Sequence, residues 1–396
     1  MAVRSPTFLS LFCGCGGFDQ GFHNAGFRSL GAFDIDEAAL AVYRKNLPYE
    51  ATACDLATVT FSRISGCDVV VAGPPCQGFS TIGKRRVKDP RNNLLVTAAE
   101  QAVRISPRAI ILENVAGAIA GTHARYWRKA SLILRSGGYQ VQELLCRADE
   151  MGLAQIRKRV LLVAWKTRFR GDIELPQCKG GTLRDAIFPL TASLPNHFPK
   201  YLDAATHSGR IAKRIQPGQK LSNVRVSERS VHTWEIPEVF GTTNAEERRV
   251  LTALIHRRRQ KRVRDFGDGD PVSARSLAYY LGRPVARVLK ALVLKGYLRC
   301  DERGYELTHT FNGKYRRLTW DAPAPTVDTK YGDPRYFLHP DEDRAFSVRE
   351  AARIQGFSDA FEFSGNEKHQ YLMIANAVPP PLADTIASYL SRTILQ

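Results

Sequence analysis

Little in this sequence would place it in a membrane, in a disulfide-stapled scaffold or around a metal ion. No apolar run approaches the ~20 residues of a membrane span. The opening stretch MAVRSPTFLSLF is too short, before its first glycine, to serve as a secretory signal. The eight cysteines, at 13, 15, 54, 67, 76, 146, 178 and 300, include no C-x-x-C pair and no companion histidine spacing, so neither a zinc site nor a disulfide framework is indicated. Internal repeats and low-complexity tracts are also missing. Acidic residues are in short supply, 39 Asp and Glu against 57 Lys and Arg, and the resulting net charge of +18 is the electrostatic signature of a polyanion partner. These absences predict a cytoplasmic protein with reduced thiols, no metal and no membrane association. At 396 residues the chain is long enough for two domains.

A complete dinucleotide fingerprint is lacking too. Thr7 to Phe12 has the composition of a strand, Gly14, Gly16 and Gly17 follow, and Phe18, Phe22 and Ala25 keep helical spacing. Glycines let a backbone approach a ligand closely, and amides at a helix start can face a negative group. In G-x-G-x-x-G, however, the last glycine would stand where this chain has Asp19, which argues against a nicotinamide or flavin enzyme. The next unit is a strand from Ser29 to Phe33, then Asp34-Ile35-Asp36, then a helix from Glu37 to Asn46. An acid at a strand end can accept hydrogen bonds from ribose hydroxyls. Asp36 serves equally well as a helix N-cap.

What the chain does have is VVVAGPPCQGFS, Val69 to Ser80. Three β-branched residues suit a buried parallel strand, and Gly73-Pro74-Pro75 stops the ladder because proline has no amide hydrogen to donate. Cys76 thus follows a strand's carboxyl end, the edge where ligands bind in open α/β sheets. With Gln77, Ser80 and Lys84 after it, Cys76 is either a nucleophile or a structural cysteine in a proline turn. A basic loop, Lys84-Arg85-Arg86 and Lys88 to Arg91, leads to a helix from about Asn93 to Ile105. Arg108 to Leu112 is another buried strand, with Glu113 at its end. A helix near Arg125 to Ser136 and strands near Tyr139 to Cys146 and Val160 to Trp165 complete this part.

From about Gly181 to Thr310 the strand–helix alternation disappears. A helix from Glu246 to about Arg264 ends in Arg257, Arg258, Arg259, Lys261, Arg262 and Arg264; Ser273 to Leu281 forms a second, and Val285 to Lys295 a third after Gly282-Arg283-Pro284. Val285, Val288, Leu289, Leu292 and Val293 give that third helix one buried face, with Arg283, Arg287 and Lys290 opposite. A strand, turn and strand from Tyr297 to Leu307 then resembles the wing of a winged helix-turn-helix, which presents its recognition helix to a major groove. The insertion either contacts DNA there or packs on protein.

Five segments occur in a definite order: Phe12-Cys-Gly-Cys-Gly-Gly-Phe18, Pro74-Pro75-Cys76-Gln77, Glu113-Asn114-Val115, Gln155-Ile-Arg157-Lys-Arg159 and Asn376-Ala-Val-Pro-Pro380. That ordered set resembles the DNA cytosine-5 methyltransferase family, over about residues 7 to 166 and 316 to 395. The resemblance implies an α/β fold with a Rossmann-like S-adenosylmethionine-dependent methyltransferase sheet and a second, smaller target-recognition domain. Its boundaries would be 1–180 for the catalytic part, 181–315 for the recognition region with the insertion at about 245–310, and 316–396 for the return.

By the same resemblance Asp34 would hold the ribose of S-adenosylmethionine, Ile35 and Phe18 would pack on its adenine, and Asp55 would lie near the adenine amino group. Phe12, Gly14, Gly16, Gly17, Pro75, Asn376 and Val378 would complete the cofactor seat. Cys76 would add to carbon 6 of a flipped cytosine, Glu113 would bind or protonate nitrogen 3, Arg157 would contact the cytosine carbonyl and Arg159 would orient the site. Gln77, Ser80 and Lys84 would belong to a loop that closes over DNA. The family usually has glycine before the asparagine, whereas this chain has Ala375. Expected partners are double-stranded DNA and a cognate restriction endonuclease, with the chain itself a monomer. One branch of the family methylates transfer RNA, and a catalytically silent DNA-binding regulator is a further alternative. The inserted unit favours DNA, and the intact Cys76, Glu113 and Arg157 argue against silence.

Overall fold

Val69, Val70 and Val71 lie at the centre of a sheet, every side chain of their strand wholly shielded from solvent. The computed structural model describes residues 4–75, 90–222, 229–260, 263, 269–308 and 310–396. Cys76, Gln77, Ser80 and Lys84 lie outside the described residues. Two units divide the chain: Met1–Phe198 with Trp320–Thr329 and Val348–Gln396, and Pro199–Thr319 with Lys330–Ser347.

The first unit is built on β1 (Thr7–Leu11), β2 (Arg28–Asp34), β3 (Ala51–Ala53), β4 (Val69–Ala72), β5 (Ala109–Val115), β6 (Gln140–Arg147), β7 (Gln155–Ile156) and β8 (Lys158–Trp165). All but β7 join one sheet in the order β3-β2-β1-β4-β5-β8-β6. The first five strands of that order are parallel, and β8 runs antiparallel to both β5 and β6. Alternate residues go to opposite faces, the period of two that a pleated strand imposes. Val70, Ala72, Ile110 and Leu112 pack into one core with residues of α3 (Leu94–Ile105) and α4 (Ala124–Ser136). Val69, Val71, Ala109 and Ile111 face the other core, with Phe18 and Phe22 of α1 (Gly17–Asn24). Truncating a buried isoleucine such as Ile111 to alanine is worth about 2–5 kcal/mol at sites of this kind. The remaining helices of this stretch are α2 (Glu37–Asn46) and the short α5 (Leu183–Ile187), which Thr182 and Asp185 start with reciprocal capping bonds.

Asp19, which interrupts the glycine fingerprint, is fully buried and accepts hydrogen bonds from Ser10 Oγ (2.7 Å) and Tyr43 OH (2.8 Å). Burial pushes its carboxyl up to about 6. The acid therefore ties β1 to α2 behind the glycine loop, a task a third glycine could not perform.

In the second unit α6 (His207–Arg214) and α7 (Pro237–Phe240) contribute Ile211, Ala212 and Val239 to a small core with Leu221, Tyr315 and Leu338. Buried Arg317 holds it by donating to the carbonyls of Ala212, Ile215, His339 and Glu342. A separate core is formed by α8 (Ala245–Gln260), α9 (Ala274–Leu281), α10 (Ala286–Leu294) and an antiparallel hairpin, Leu298–Asp301 with Gly304–Leu307. Ser273 Oγ caps α9 by accepting from Ser276 N, and Gly282, at φ 66°, ends it.

Within the basic end of α8 the side chain of Arg258 is wholly buried, 3.8 Å from Glu306. The expectation that Arg283 shares a helical face with Arg287 and Lys290 is corrected: Arg283 precedes α10, in the turn, and lies 3.7 Å from Glu246, so of the three only Arg287 and Lys290 are on the helix, both exposed. Lys261, Arg262 and Arg264 lie outside the described residues.

The chain then returns to the first unit through α11 (Val348–Gln355), α12 (Glu367–Asn376) and α13 (Pro380–Tyr389). α13 packs beside α1: a Cβ on Gly21 would sit 2.4 Å from Ala383 Cβ, a spacing open only to glycine. Among the described residues no helix is long and apolar enough to cross a membrane, and no group of three or more metal-ligating side chains forms.

Candidate active site

The strand order reverses direction between β1 and β4, and the carboxyl ends of strands at such a switch point leave a crevice. Each strand delivers residues to it. Beyond β1 the chain turns away at Phe12, whose φ of 57° is left-handed and costs a bulky residue about 1–3 kcal/mol. Cys13 N then donates to Phe33 O (3.1 Å) and Gly14 N to Asp34 Oδ2 (2.8 Å), which fold the glycine loop over the end of β2. Gly16, at φ 95°, caps α1, and a Cβ there would lie 2.6 Å from Leu47 Cδ1. On Gly17 a Cβ would lie 2.5 Å from Val378 O, so the start of α1 rests directly on the segment after α12.

At the end of β2, Asp34 Oδ1 accepts from Asp36 N at 2.9 Å, and burial raises this carboxyl above its ordinary value. Ile35 is 70% exposed, unusual for an aliphatic side chain, and it borders the crevice. Asp36 is the N-cap of α2, accepting from Ala38 N and Ala39 N, and its Oδ2 lies 2.9 Å from His369 Nε2. After β3, Asp55 Oδ1 accepts from Ala57 N (3.0 Å). Asn114 Nδ2 donates to Pro74 O (3.3 Å) and fixes the turn that follows β4.

β5 and β8 bring the charged pair. Their register sets Val115 opposite Arg159 and Glu113 opposite Leu161, so Glu113 and Arg159 share a face as diagonal neighbours. Arg159 Nε lies 2.7 Å from Glu113 Oε1, with both side chains largely buried. Burial raises the Glu113 carboxyl, against the pull of Arg159 and Arg157, which lowers it.

Together these ends enclose a cavity of about 460 Å³. Phe12, Gly14, Gly17, Phe18, Asp34, Ile35, Asp55, Pro75, Glu113, Arg159, Asn376 and Val378 all border it, as does Pro75's partner in the turn, Pro74. Of the remaining sequence candidates, Gly16 stands behind the lining, where its role is the turn and the packing on Leu47. Arg157 also stands behind it, 1% exposed, donating to the carbonyls of Val327, Ala375 and Ala377. The arginine that faces the cavity is therefore Arg159. Cys76 follows Pro75 in the sequence and, like Gln77, Ser80 and Lys84, lies outside the described residues. Arg283, Arg287 and Lys290 belong to the other unit.

Sequence inspection missed His369, Leu372 and Met373, which border the cavity with Asn376. A signal existed: stepping back from Asn376 by three, four and seven residues follows one face of α12. It also missed Cys13, Cys15 and Cys54; burial raises all three thiols, that of Cys15 to about 12, so they line the cavity as neutral apolar groups. Ala375, the departure from glycine, lies within helical backbone of α12, where a methyl group is accommodated without a left-handed φ.

A family model for C-5 cytosine-specific DNA methylase matches residues 6–392. Among the relatives, the type II methyltransferase M.AgeI of Thalassovita gelatinovora is 31% identical over 98% of this chain and 99% of its own length. M.HgiCII of Herpetosiphon aurantiacus is 29% identical, covering 96% and 95%. A solved E. coli protein, described as a prophage-encoded DNA modification methyltransferase, superposes with a TM-score of 0.61 at 21% identity, covering 99% of this chain and 100% of its own. The S. pombe Dnmt2 methyltransferase gives 0.53 at 18%, covering 98% and 99%. At these identities the two structures speak for a shared fold alone.

Proposed function

Because the chain belongs to the C-5 cytosine-specific DNA methylase family, and so methylates carbon 5 of cytosine in DNA from S-adenosylmethionine, we propose that it modifies one specific double-stranded sequence as part of a restriction–modification pair. The observation that carries this is the convergence of a carboxylate–arginine pair and a set of acidic and apolar groups on one cavity at the switch point of the sheet. The chain would work as a cytoplasmic monomer, with Pro199–Thr319 and Lys330–Ser347 as its target-recognition domain.

The cavity suits S-adenosylmethionine. Its volume lies within the ~300–1,000 Å³ of small-molecule sites. Asp34 offers acceptor positions to the ribose hydroxyls and Asp55 to the adenine amino group, while Phe18 and the exposed Ile35 supply apolar walls for the ring. Phe12, Gly14, Gly17, Asn376 and Val378 form the rest of the seat. When bound, the cofactor supplies an electrophilic methyl group on a positively charged sulfur.

Carbon 5 of cytosine is a poor nucleophile until the aromaticity of its ring is broken. Cys76 does this by adding as thiolate to carbon 6. Glu113 binds or protonates nitrogen 3 and draws electrons into the ring as the sulfur adds. Arg159 holds Glu113 and, facing the cavity, takes the contact to the cytosine carbonyl that the family resemblance gave to Arg157. Once carbon 5 has taken the methyl group, loss of its proton to a base restores the ring double bond as the Cys76 thiolate leaves. The target must be flipped from the duplex, since carbon 6 is inaccessible within the stack.

Asp34→Ala is expected to weaken S-adenosylmethionine binding by on the order of tenfold or more, because charge-assisted hydrogen bonds contribute about 1.5–3 kcal/mol. The Michaelis constant for the cofactor should rise more than kcat falls. Calorimetric titration checks this, and an unchanged dissociation constant places Asp34 outside the seat.

The order of three helices followed by an antiparallel hairpin in the inserted unit supports the reading as a winged helix-turn-helix, in which α10 would take the recognition position. Neutralising Arg287 and Lys290 together should weaken duplex binding and lower the log–log salt slope by up to about 2, at ~0.9 per phosphate contact. Superimposable salt series for wild type and variant would mean that α10 does not touch DNA. For the function as a whole, the deciding experiment compares methyl incorporation into plasmid DNA and transfer RNA. Bisulfite sequencing of DNA from expressing cells then reports the target; incorporation into RNA alone would overturn the proposal.

A further inference from the structure

Behind the cavity wall lies a closed ring of hydrogen bonds made by buried side chains. Gln155 Oε1 accepts from Val327 N (3.0 Å), and Gln155 Nε2 donates to Gln355 Oε1 (2.9 Å) and to Ile354 O (3.1 Å). Gln355 Nε2 donates to Ala377 O at 2.7 Å. The same oxygen accepts from Arg157 Nη2 (3.0 Å), which also reaches Ala375 O (2.8 Å), and Arg157 Nη1 returns to Val327 O at 3.3 Å. Gln155 and Gln355 are 0% exposed and Arg157 is 1% exposed. Water therefore cannot replace a lost partner cheaply.

The ring's attachments give it a function. It grips the carbonyls on both sides of Asn376, whose side chain borders the cavity, and Val378 follows the second of them. At its other end Gln155 is in β7, paired with Ala324, and Arg157 stands two residues before Arg159. One network thus holds both the cofactor side of the cavity and the base of the strand that aims Arg159 at Glu113. We infer that Gln155, Arg157 and Gln355 are positioning residues that register the cofactor seat against the target-base arginine, an inference that rests on the cavity being the S-adenosylmethionine seat.

A ring has a property that separate contacts lack: opened at one point, it loses most of its constraint, so a second opening adds little. The test uses the full chain with Gln155→Met, Gln355→Met and the double variant, measuring S-adenosylmethionine affinity by calorimetry and kcat on duplex DNA. Each single change should weaken cofactor binding by about tenfold, as for a buried polar group left unpaired. It should also lower kcat, because Arg159 loses its registration. The double variant should be within about twofold of the worse single, whereas independent contacts would multiply to about a hundredfold.

Gln355→Glu tests the same link without removing its shape and guards against misfolding of the methionine variants. It keeps the acceptor used by Gln155. Its carboxyl can donate to Ala377 O only when protonated, so its cofactor affinity should recover towards wild type as pH falls. Multiplicative losses, unchanged affinity in either single variant, or a pH-independent deficit in Gln355→Glu would overturn the ring. Wild-type protein that binds no S-adenosylmethionine would instead overturn the assignment of the cavity, which keeps the two failures distinct.

Discussion

Cys76→Ser is expected to lower methyl transfer to duplex DNA by about a thousandfold or more, with DNA affinity essentially unchanged. A serine hydroxyl is far less ionised than a thiol at neutral pH, and without addition at carbon 6 the ring cannot deliver electrons to carbon 5. The thiol acts only after the base is flipped, so it contributes little to contacts with the grooves or phosphates. Wild type, but not the serine variant, should also form a stable covalent adduct with DNA containing 5-fluorocytosine, because fluorine cannot leave as a proton does. Denaturing electrophoresis of labelled DNA detects the adduct. Undiminished turnover by the serine variant would remove Cys76 from the mechanism.

Glu113→Gln should reduce kcat by about 10²- to 10⁴-fold, the range of general acid–base contributions, with cofactor affinity retained. The pH dependence follows from the direction of the carboxyl's shift. Burial raises Glu113, so it keeps its proton to higher pH than an ordinary glutamate, and the activity that needs this proton is lost as pH rises through the folded-state value. By linkage, its contribution to stability has the same sense: present below the unfolded value and lost as pH rises through the folded one. Arg159 opposes the shift from 2.7 Å. Arg159→Ala should therefore move the falling limb of the kcat profile to higher pH while lowering its maximum. Profiles for wild type and Glu113→Gln that differ only by a constant factor would show that Glu113 does not titrate during the reaction.

Much of the first unit was legible in the sequence because it depends on local periods. Val69–Val71, Ala109–Leu112 and the helix Glu37–Asn46 declare themselves by where apolar residues recur, and the Asp36 cap by its position before a helix. Three of the five ordered segments mark the carboxyl ends of β1, β4 and β5, which a parallel sheet with this connectivity brings together; the other two lie at the start of β8 and between α12 and α13. Nothing local distinguishes Arg157 from Arg159, two arginines two positions apart in the same segment. Their fates diverge where the pairing of β8 with β5 ends: Arg159 is the last residue in register with β5 and faces Glu113, whereas Arg157 precedes β8 and donates to the carbonyls of Val327, Ala375 and Ala377. Arg283 likewise has the spacing of a groove-facing residue, but α10 starts after it and Glu246 draws it back. His369 meets Asp36 across 333 residues of sequence. Backbone periodicity is a property of neighbours along the chain, so the sequence by itself determined the strands, the helices and the ordered motifs; which polar groups meet is a property of register and long-range packing, and only the tertiary structure decided it.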